Sequence, residues 1–172
     1  MASPSETLAT ETLAEPAAPA VTDADGSWIH QEWLPAFLYW TIHAACVLAF
    51  FTGVGALELT LLAVTFWVRM FGITGGYHRY FSHTAYKTSR AFQFVLAWIG
   101  CSAVQKGPLW WAGGHRRHHK YSDKEGDMHS PRRGLWYSHQ GLIFDRTWTE
   151  TEVEGIRDFA KYPELVWLNK SH

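Results

Sequence analysis

Two long apolar runs dominate the first half of the chain. Residues 33–57 are 25 consecutive positions without a charged side chain, and a second run covers residues 56–73. A helix needs about 20 apolar residues to cross a bilayer core, so the first run is long enough and the second is near the lower limit. Gly53 and Gly55 allow a tight reversal between them. The pattern predicts a transmembrane helical hairpin with spans at about 34–54 and 56–73, with the buried hairpin of a soluble protein as the alternative.

A third apolar stretch, residues 91–104, has 14 residues and is too short to cross a bilayer. Gly107 and Pro108 follow it and end a helix. The stretch predicts an interfacial helix at about 90–105, with Trp110 and Trp111 at headgroup level. The predicted fold class is therefore all-α: an integral membrane protein with a transmembrane hairpin and interfacial and cytosolic helices.

The first 27 residues differ in composition from the rest. They are rich in Ala, Pro, Thr and Glu and contain no aromatic residue, so they offer too little apolar surface to offset the entropy of ordering them. We expect a disordered tail over residues 1–27. Residues 28–172 are then the membrane domain, with a histidine-rich cytosolic region at 76–172.

Charge divides the chain into two halves. All 15 lysines and arginines lie at or after Arg69, so residues 1–68 carry a formal charge of −7 and residues 69–172 carry +6. If the hairpin spans a membrane, both of its ends lie on one side. The positive-inside bias then places the basic half, with its histidines, in the cytoplasm of a multi-pass protein.

Three isolated polar or thiol side chains lie within the apolar runs. For His43 a hydrogen bond to a neighbouring helix is favoured over a role in chemistry, although a polar group inside a span is a candidate for function. Cys46 and Cys101 have no CxxC spacing and are predicted to be small buried hydrophobic residues.

Three of the ten histidines follow the third apolar stretch in the segment HRRHHK. His115, His118 and His119 are spaced i, i+3, i+4 and share one face of an α-helix, while Arg116 and Arg117 point elsewhere. Such convergence indicates a metal site. The alternative is a basic patch that binds anionic lipid or nucleic acid, but neutral histidine adds little charge to such a patch at pH 7.

A second histidine pair, His78 and His83, follows the second span in GGYHRYFSH. Five residues turn an α-helix by about 500°, so the two side chains would lie about 140° apart. Either the helix breaks between them or they serve different metals. Five histidines from two segments favour a dinuclear site over a lone zinc, and imidazole suits zinc, copper, iron or nickel. Iron fits O2 chemistry on the C–H bonds of an acyl chain beside a membrane.

Both segments resemble those of the membrane fatty-acyl desaturases, specifically the delta-9 acyl-CoA or acyl-lipid type. GGYHRYFSH is similar to the family's HxxxxH box, and WWAGGHRRHHKYSDKEGDMHSPRRGLWYSHQG is similar to its HxxHH box with the residues after it. The resemblance covers about residues 33–172 and implies half of a four-span fold. It also implies a di-iron oxidoreductase that uses O2 as co-substrate and two electrons to form a cis double bond in a saturated acyl chain.

The resemblance also implies roles for particular residues. Trp111 matches a tryptophan that lines the acyl or headgroup end of the tunnel. Arg132 and Arg133 match a basic pair near an anionic headgroup, with a solvated turn as the alternative. His129 and His139 match family positions that are not ligands. The implied iron ligands are His78, His83, His115, His118 and His119.

The implied partners are the membrane, an acyl-CoA, acyl-lipid or acyl-carrier substrate, and a separate ferredoxin, rubredoxin or cytochrome b5 electron donor; no nucleic acid is expected. Gly113 and Gly114 stand where animal acyl-CoA enzymes have an Arg-Asp pair, so recognition of CoA is open. The family's third HxxHH box and NxxxH motif do not occur in the sequence. We therefore expect a truncated product that is inactive alone, or a site that another chain completes.

Two other functions fit the same residues. A lipid hydroxylase would use the same iron chemistry and differ in its product, which gains one oxygen instead of losing two hydrogens. A membrane-anchored protein that binds metal or anionic lipid would use the histidines without catalysis.

Overall fold

The computed structural model describes residues 33–124 and 126–170. These residues form helices and connecting turns with no strand among them, so the predicted all-α fold is confirmed. The tail predicted for residues 1–27 lies outside the described residues. The α-helices are α1 Trp33–Ala45, α2 Ala49–Thr52, α3 Ala56–Phe71, α4 Arg90–Cys101, α5 Pro108–Tyr121, α6 Leu142–Phe144, α7 Arg157–Ala160 and α8 Pro163–Lys170. Two π-helices cover Gly72–Ser82 and Tyr137–Gly141, and 3₁₀ turns cover Cys46–Leu48, Pro131–Arg133, Arg146–Trp148 and Val153–Ile156.

The predicted hairpin is present as two long apolar helices. The first, Leu34–Thr52, has 19 residues and a mean hydropathy of 1.7, and the second, Ala56–Ser82, has 27 residues and a mean hydropathy of 1.6. Only 0% and 6% of their most apolar segments are buried inside the protein. A core helix of a soluble protein would bury most of such a surface. The exposure of both helices therefore favours a membrane protein over the soluble alternative.

The turn between the two helices depends on glycine. Gly53 has a φ of 78°, in the left-handed region that glycine adopts at little cost. The backbone N–H of Gly55 donates to Oε2 of Glu58 at 2.9 Å. The single charged residue of the hairpin between residues 33 and 68 thus caps the first turn of α3, where the helix dipole favours a carboxylate.

The core lies at the end of the second helix, where the long π-helix packs on α4 and α5, and these two helices also pack on α8. Gly72 and Gly100 let two backbones approach closely, because a Cβ on Gly72 would lie 2.8 Å from the amide nitrogen of Gly100. The fully or almost fully buried hydrophobic residues include Tyr77, Phe81, Leu96, Ala97, Leu109, Ala112, Ile156 and Leu165. This packed unit is the platform that carries the histidines.

Helix α4 corresponds to the predicted interfacial helix. Its Leu96 and Ala97 are buried against the platform, whereas Phe92, Val95 and Trp98 are exposed on another side. A helix with one packed face and one exposed apolar face fits a position at a membrane surface, and its interfacial location stays a prediction.

The first span also contacts the segment that follows the second histidine box. The Tyr39 hydroxyl donates to Oε1 of Gln140 at 2.8 Å, across 101 residues of sequence. The rings of Trp40 and Trp136 are stacked with centroids 6.0 Å apart. The hairpin and the segment that includes Trp136 and Gln140 are therefore joined towards the N-terminal end of the hairpin.

The isolated polar side chains of the apolar runs have local partners. His43 Nδ1–H donates to the carbonyl of Tyr39 at 2.8 Å, so its hydrogen bond stays within α1 and does not reach a neighbouring helix. Cys101 is buried and accepts a hydrogen bond from the Tyr77 hydroxyl at 3.2 Å. Cys46 is exposed, so the predicted burial is correct for Cys101 and wrong for Cys46. The reason is that Cys46 lies on the hairpin, which packs against little of the described protein.

Candidate metal centre

The HxxxxH segment lies in the long π-helix. A π-helical hydrogen bond joins residues five apart, so side chains at i and i+5 lie one above the other. The backbone N–H of His83 donates to the carbonyl of His78 at 3.0 Å, and the two ring centroids are 4.5 Å apart. The 140° separation calculated for an α-helix does not apply, and the helix does not break between the two histidines.

Helix α5 brings two more imidazoles to this pair. His115 and His119 are one turn apart, and their Nε2 atoms are separated by 3.0 Å. Nε2 of His115 is also 3.3 Å from Nε2 of His83. The ligand nitrogens of His78, His83, His115 and His119 all lie within 4.8 Å of one another. We call these four residues the histidine cluster; they are four of the five predicted ligands.

His118, the fifth predicted ligand, faces a different partner. Its Nδ1–H donates to Oδ1 of Asp127 at 2.9 Å, and its ring centroid lies 5.9 Å from that of His129. Metal-binding histidines commonly donate their second ring N–H to a carboxylate, which leaves the other nitrogen for the metal. His118 thus has the hydrogen bond to a carboxylate that is typical of a metal-binding histidine, and its Nε2 is the nitrogen left for a metal. It nevertheless lies outside the histidine cluster.

Asp127 was missed by the sequence analysis. Its side chain is fully buried and also accepts hydrogen bonds from the backbone N–H groups of Asp123 and His129, at 2.9 and 2.8 Å. Burial raises the pKa of Asp127, but the hydrogen bonds from His118 and the two backbone groups outweigh it and hold the pKa below its ordinary value. A carboxylate shortly after a histidine box is the signal that could have indicated this residue.

The surroundings of two members of the histidine cluster, His83 and His115, favour the neutral imidazole. Burial, and then the neighbouring histidines beginning with His78, lower the pKa of His115 to about 3. Burial and the same neighbour also lower the pKa of His83. Because a metal binds the deprotonated ring, His115 needs to lose no proton at neutral pH. A donor set of four imidazole nitrogens suits iron, zinc, copper or nickel.

A cavity of about 180 Å³ lies beside His115 and His118. Trp111 forms part of its wall, with its ring stacked on that of His115 at a centroid distance of 5.0 Å. The indole N–H of Trp111 donates to Oε1 of Gln105 at 3.1 Å, which fixes the ring. The remaining lining residues are mostly apolar and include Val104, Trp110, Met128, Leu142 and Ile143. The histidines therefore border a space suited to an apolar ligand.

The two predicted headgroup residues do not line this cavity. Arg133 pairs with Asp145 at 3.7 Å and donates to the hydroxyl of Tyr137. Arg132 is exposed in the turn Pro131–Arg133, with its guanidinium 3.5 Å from the carbonyl of Asp123. Arg133 is therefore held by Tyr137 and Asp145, and Arg132 is the more accessible of the pair.

His129 and His139, the two predicted family positions that are not ligands, differ in their distance from the cavity. His129 lines the cavity and lies beside His118. His139 is exposed on the short π-helix and is absent from the cavity wall.

Two exposed apolar helices and a histidine cluster beside a mostly apolar cavity define the class as a membrane protein with imidazoles placed where they could hold a metal ion. No family model matches the chain. The chain is 33% identical over 117 residues to a probable acyl-CoA desaturase of Schizosaccharomyces pombe, with 67% of this chain and 24% of that protein covered. It is 36% identical over 136 residues to the acyl-CoA 5-desaturase AL21 of Anemone leveillei, covering 76% and 41%. It is 31% identical over 159 residues to the sn-2 palmitoyl-lipid 9-desaturase of a Nostoc species, covering 88% and 55%.

The chain belongs to the membrane fatty-acyl desaturase family. It spans between 24% and 55% of the length of these three relatives. The chain therefore corresponds to one part of these desaturases, and it contains both of the histidine segments described above, HxxxxH and HxxHH.

Proposed function

We propose that this chain is the part of a fatty-acyl desaturase that carries its first two histidine boxes, and that the complete protein forms a cis double bond in a saturated acyl chain. The observation that carries the proposal is the histidine cluster, in which four imidazoles from two separate segments lie within 4.8 Å beside an apolar cavity. The desaturase names of the relatives support the same reaction class.

The residues of the site suit iron and would supply part of the ligands of a di-iron centre. The histidine cluster offers an all-imidazole donor set, which suits iron. His118 would join as a further ligand through Nε2, because Asp127 holds Nδ1–H. When bound, the irons would supply the O2 chemistry. O2 would take up two hydrogens from adjacent methylenes, together with two protons and two electrons from a separate ferredoxin, rubredoxin or cytochrome b5, and would be reduced to water. Five imidazoles are few for two irons, so we infer that further ligands come from outside this sequence.

The cavity would hold the acyl chain. Trp111 lines the cavity and stacks on His115, so it would position a methylene segment near His115 and exclude water. Gly114 adds no side chain to the wall, and a Cβ there would lie 2.9 Å from Sδ of Met128. With no charged pair at Gly113 and Gly114, an acyl-lipid or acyl-carrier substrate is as well suited as acyl-CoA. The roles of Arg132 and Arg133 in binding an anionic headgroup stay predictions. Arg132 is the better candidate of the two, because its side chain is exposed.

The topology that we infer is a multi-pass protein with its histidines on the cytoplasmic side. His78 lies 22 residues after Ala56 in the second helix, which is up to ~33 Å at the α-helical rise and slightly more than a bilayer core of ~30 Å. If Ala56 lies at one face of the core, His78 extends beyond the other face. The net charge of +6 over residues 69–172 supports the cytoplasm as that side.

A chimera tests the proposed reaction. The matching region of the Nostoc desaturase is replaced by this chain and expressed in a cyanobacterium that lacks its own 9-desaturase, and the acyl chains are analysed by gas chromatography and mass spectrometry. We expect monounsaturated acyl chains, which disappear in the His115→Ala and His118→Ala chimeras but not in His139→Ala.

Other outcomes separate the remaining functions. Products that gain one oxygen would indicate a hydroxylase. A correctly inserted chimera that binds iron but leaves every acyl chain saturated would contradict the desaturase proposal and favour a metal-binding role.

A further inference from the structure

Arg116 lies in the second histidine box, between His115 and His118, and all five of its N–H donors are used. Nη1 and Nη2 donate to the two carboxylate oxygens of Asp158, each at 2.9 Å, and Nη1 also donates to the carbonyl of Gly155 at 3.0 Å. The remaining bonds go to the first box: Nε donates to the carbonyl of Ser82 at 2.9 Å and Nη2 to that of Phe81 at 2.6 Å. The guanidinium is thus saturated by one carboxylate and three backbone carbonyls.

The two carbonyls of the first box are the last of the long π-helix, which ends at Ser82. Carbonyls at the end of a helix have no partner in the next turn and need one from elsewhere. Arg116 supplies that partner immediately before His83. A π-helix of 11 residues is an uncommon conformation, so an external hydrogen bond at its end helps to stabilise it.

The geometry of this contact joins three segments of the chain. Arg116 is on α5, Ser82 ends the π-helix, and Asp158 lies on α7. The side chain of Arg116 is 25% exposed and that of Asp158 is 44% exposed, so the ion pair is partly shielded from water. The same helix α5 that carries His115 therefore also fixes the backbone that carries His83.

We propose that Arg116 is a positioning residue, which clamps the end of the π-helix and thereby sets the distance between His83 and His115. This inference rests on the proposed function, because the distance matters only if the histidine cluster binds a metal. The Nε2 atoms of these two histidines are 3.3 Å apart and come from different helices, so their separation depends on how the helices are joined. The planar guanidinium of arginine can bind the carboxylate and the three carbonyls at once, whereas the ammonium group of lysine acts as a point charge with three donors.

The test uses the purified chain in detergent with Co²⁺ as the probe, since cobalt reports its coordination through its visible absorption spectrum. The variants are Arg116→Gln, Arg116→Lys and Asp158→Asn. The matched control is Arg90→Gln, which removes another bidentate pair, with Glu164, at 2.7 and 2.8 Å. We expect Arg116→Gln and Arg116→Lys to bind Co²⁺ 10- to 100-fold more weakly and with an altered spectrum. Asp158→Asn should weaken binding less, because the two carbonyl contacts remain, and Arg90→Gln should match the wild type.

Hydrogen exchange separates the failure of this proposal from the failure of the proposed function. The amides of His83, Thr84 and Ala85 donate to carbonyls of the π-helix, so in metal-free Arg116→Gln they should exchange faster while those of α4 do not. Wild-type affinity and exchange in Arg116→Gln, or full rescue by Arg116→Lys, would overturn the clamp. If Arg116→Gln does not fold, unchanged Co²⁺ affinity and spectrum in Asp158→Asn would overturn it. A wild-type chain that binds no Co²⁺ would contradict the metal site, and exchange in Arg116→Gln would still decide whether Arg116 clamps the π-helix.

Discussion

The two histidine boxes reach the same cluster through different backbones. In the first box, His78 and His83 are five residues apart and meet because the helix is a π-helix. In the second, His115 and His119 are four residues apart and meet on an ordinary α-helix. The spacing of each box therefore matches the hydrogen-bond period of its own helix.

The two helices also differ in what keeps them in place. Helix α5 begins with Gly107 and Pro108, a favoured start, and the backbone N–H of Trp110 donates to Asn169. The π-helix depends on its neighbours: it packs closely on Gly100 of α4 and is held at its end by Arg116. We expect packing changes to disturb the first box more than the second, and the following experiments test this difference.

The largest effect should come from removing His115, the residue that joins the boxes. Its Nε2 is 3.3 Å from that of His83 and 3.0 Å from that of His119. His115→Ala should weaken Co²⁺ or Fe²⁺ binding by about 100-fold or more, measured by titration and metal analysis. His139→Ala, which changes an exposed histidine outside the cluster, is the control. Equal metal content in both variants would show that the cluster is not the binding site.

The next effect should come from overpacking the support of the first box. A Cβ on Gly100 would lie 2.2 Å from the buried ring of Tyr77, next to His78. Gly100→Ala should lower the free energy of unfolding by about 1–3 kcal/mol, measured by urea denaturation in detergent, and weaken Co²⁺ binding. Gly75→Ala is the matched control, because its Cβ would meet only the exposed and movable ring of Phe71. Similar losses in both variants would refute the role of close packing.

A smaller effect should follow from changing Asp127, which supports the second box. Asp127→Asn keeps one acceptor oxygen but cannot accept from all three donors, so the free energy of unfolding should fall by about 1–2 kcal/mol. Co²⁺ binding by the histidine cluster should not change. The control is Asp123→Asn at an exposed position with a φ of 58°, which asparagine also adopts. A loss of cluster binding in Asp127→Asn would mean that His118 and the cluster act as one unit.

The smallest effect should appear in the pH dependence of stability without metal. An unfolded histidine takes up a proton near pH 6.5, whereas folded His115 stays neutral down to about pH 3. The unfolded state binds more protons between these values, so stability should fall as the pH decreases from 6.5 and should not depend on His115 above it. Melting of the chain in EDTA at pH 7.5 and 5 measures this slope. His115→Gln should have a shallower slope; an unchanged slope would mean that His115 titrates normally.

The helical hairpin and the histidines of the cluster could be predicted from the sequence because both depend on local patterns. Long uncharged runs indicate spans, and HxxxxH and HxxHH indicate imidazole ligands, whatever the tertiary packing. The convergence of His78 with His83 does not follow from the sequence pattern, because an α-helical period would place the two side chains apart. The π-helix that brings them together is stabilised by tertiary contacts, namely packing on α4 and hydrogen bonds from Arg116.

The position of His118 shows the same limit. The i, i+3 spacing places it on the face of His115, but the buried carboxylate of Asp127 holds its ring toward another side. That contact depends on the fold of the loop after α5, which hydrophobic periodicity does not describe. Similarly, Arg116 and Arg117 point away from the cluster as predicted, but nothing in the spacing indicates the carbonyls that Arg116 binds.

The contact between Tyr39 and Gln140 has a consequence for the order of assembly during synthesis. The two residues are 101 positions apart, and at about 5–20 residues per second the ribosome needs roughly 5–20 s to make the chain between them. The hairpin can therefore enter the membrane well before the second histidine box exists. The contacts of Trp40 with Trp136 and of Tyr39 with Gln140 can form only after the later residues are made, so a hairpin that inserts first keeps these two aromatic side chains without their partners until then.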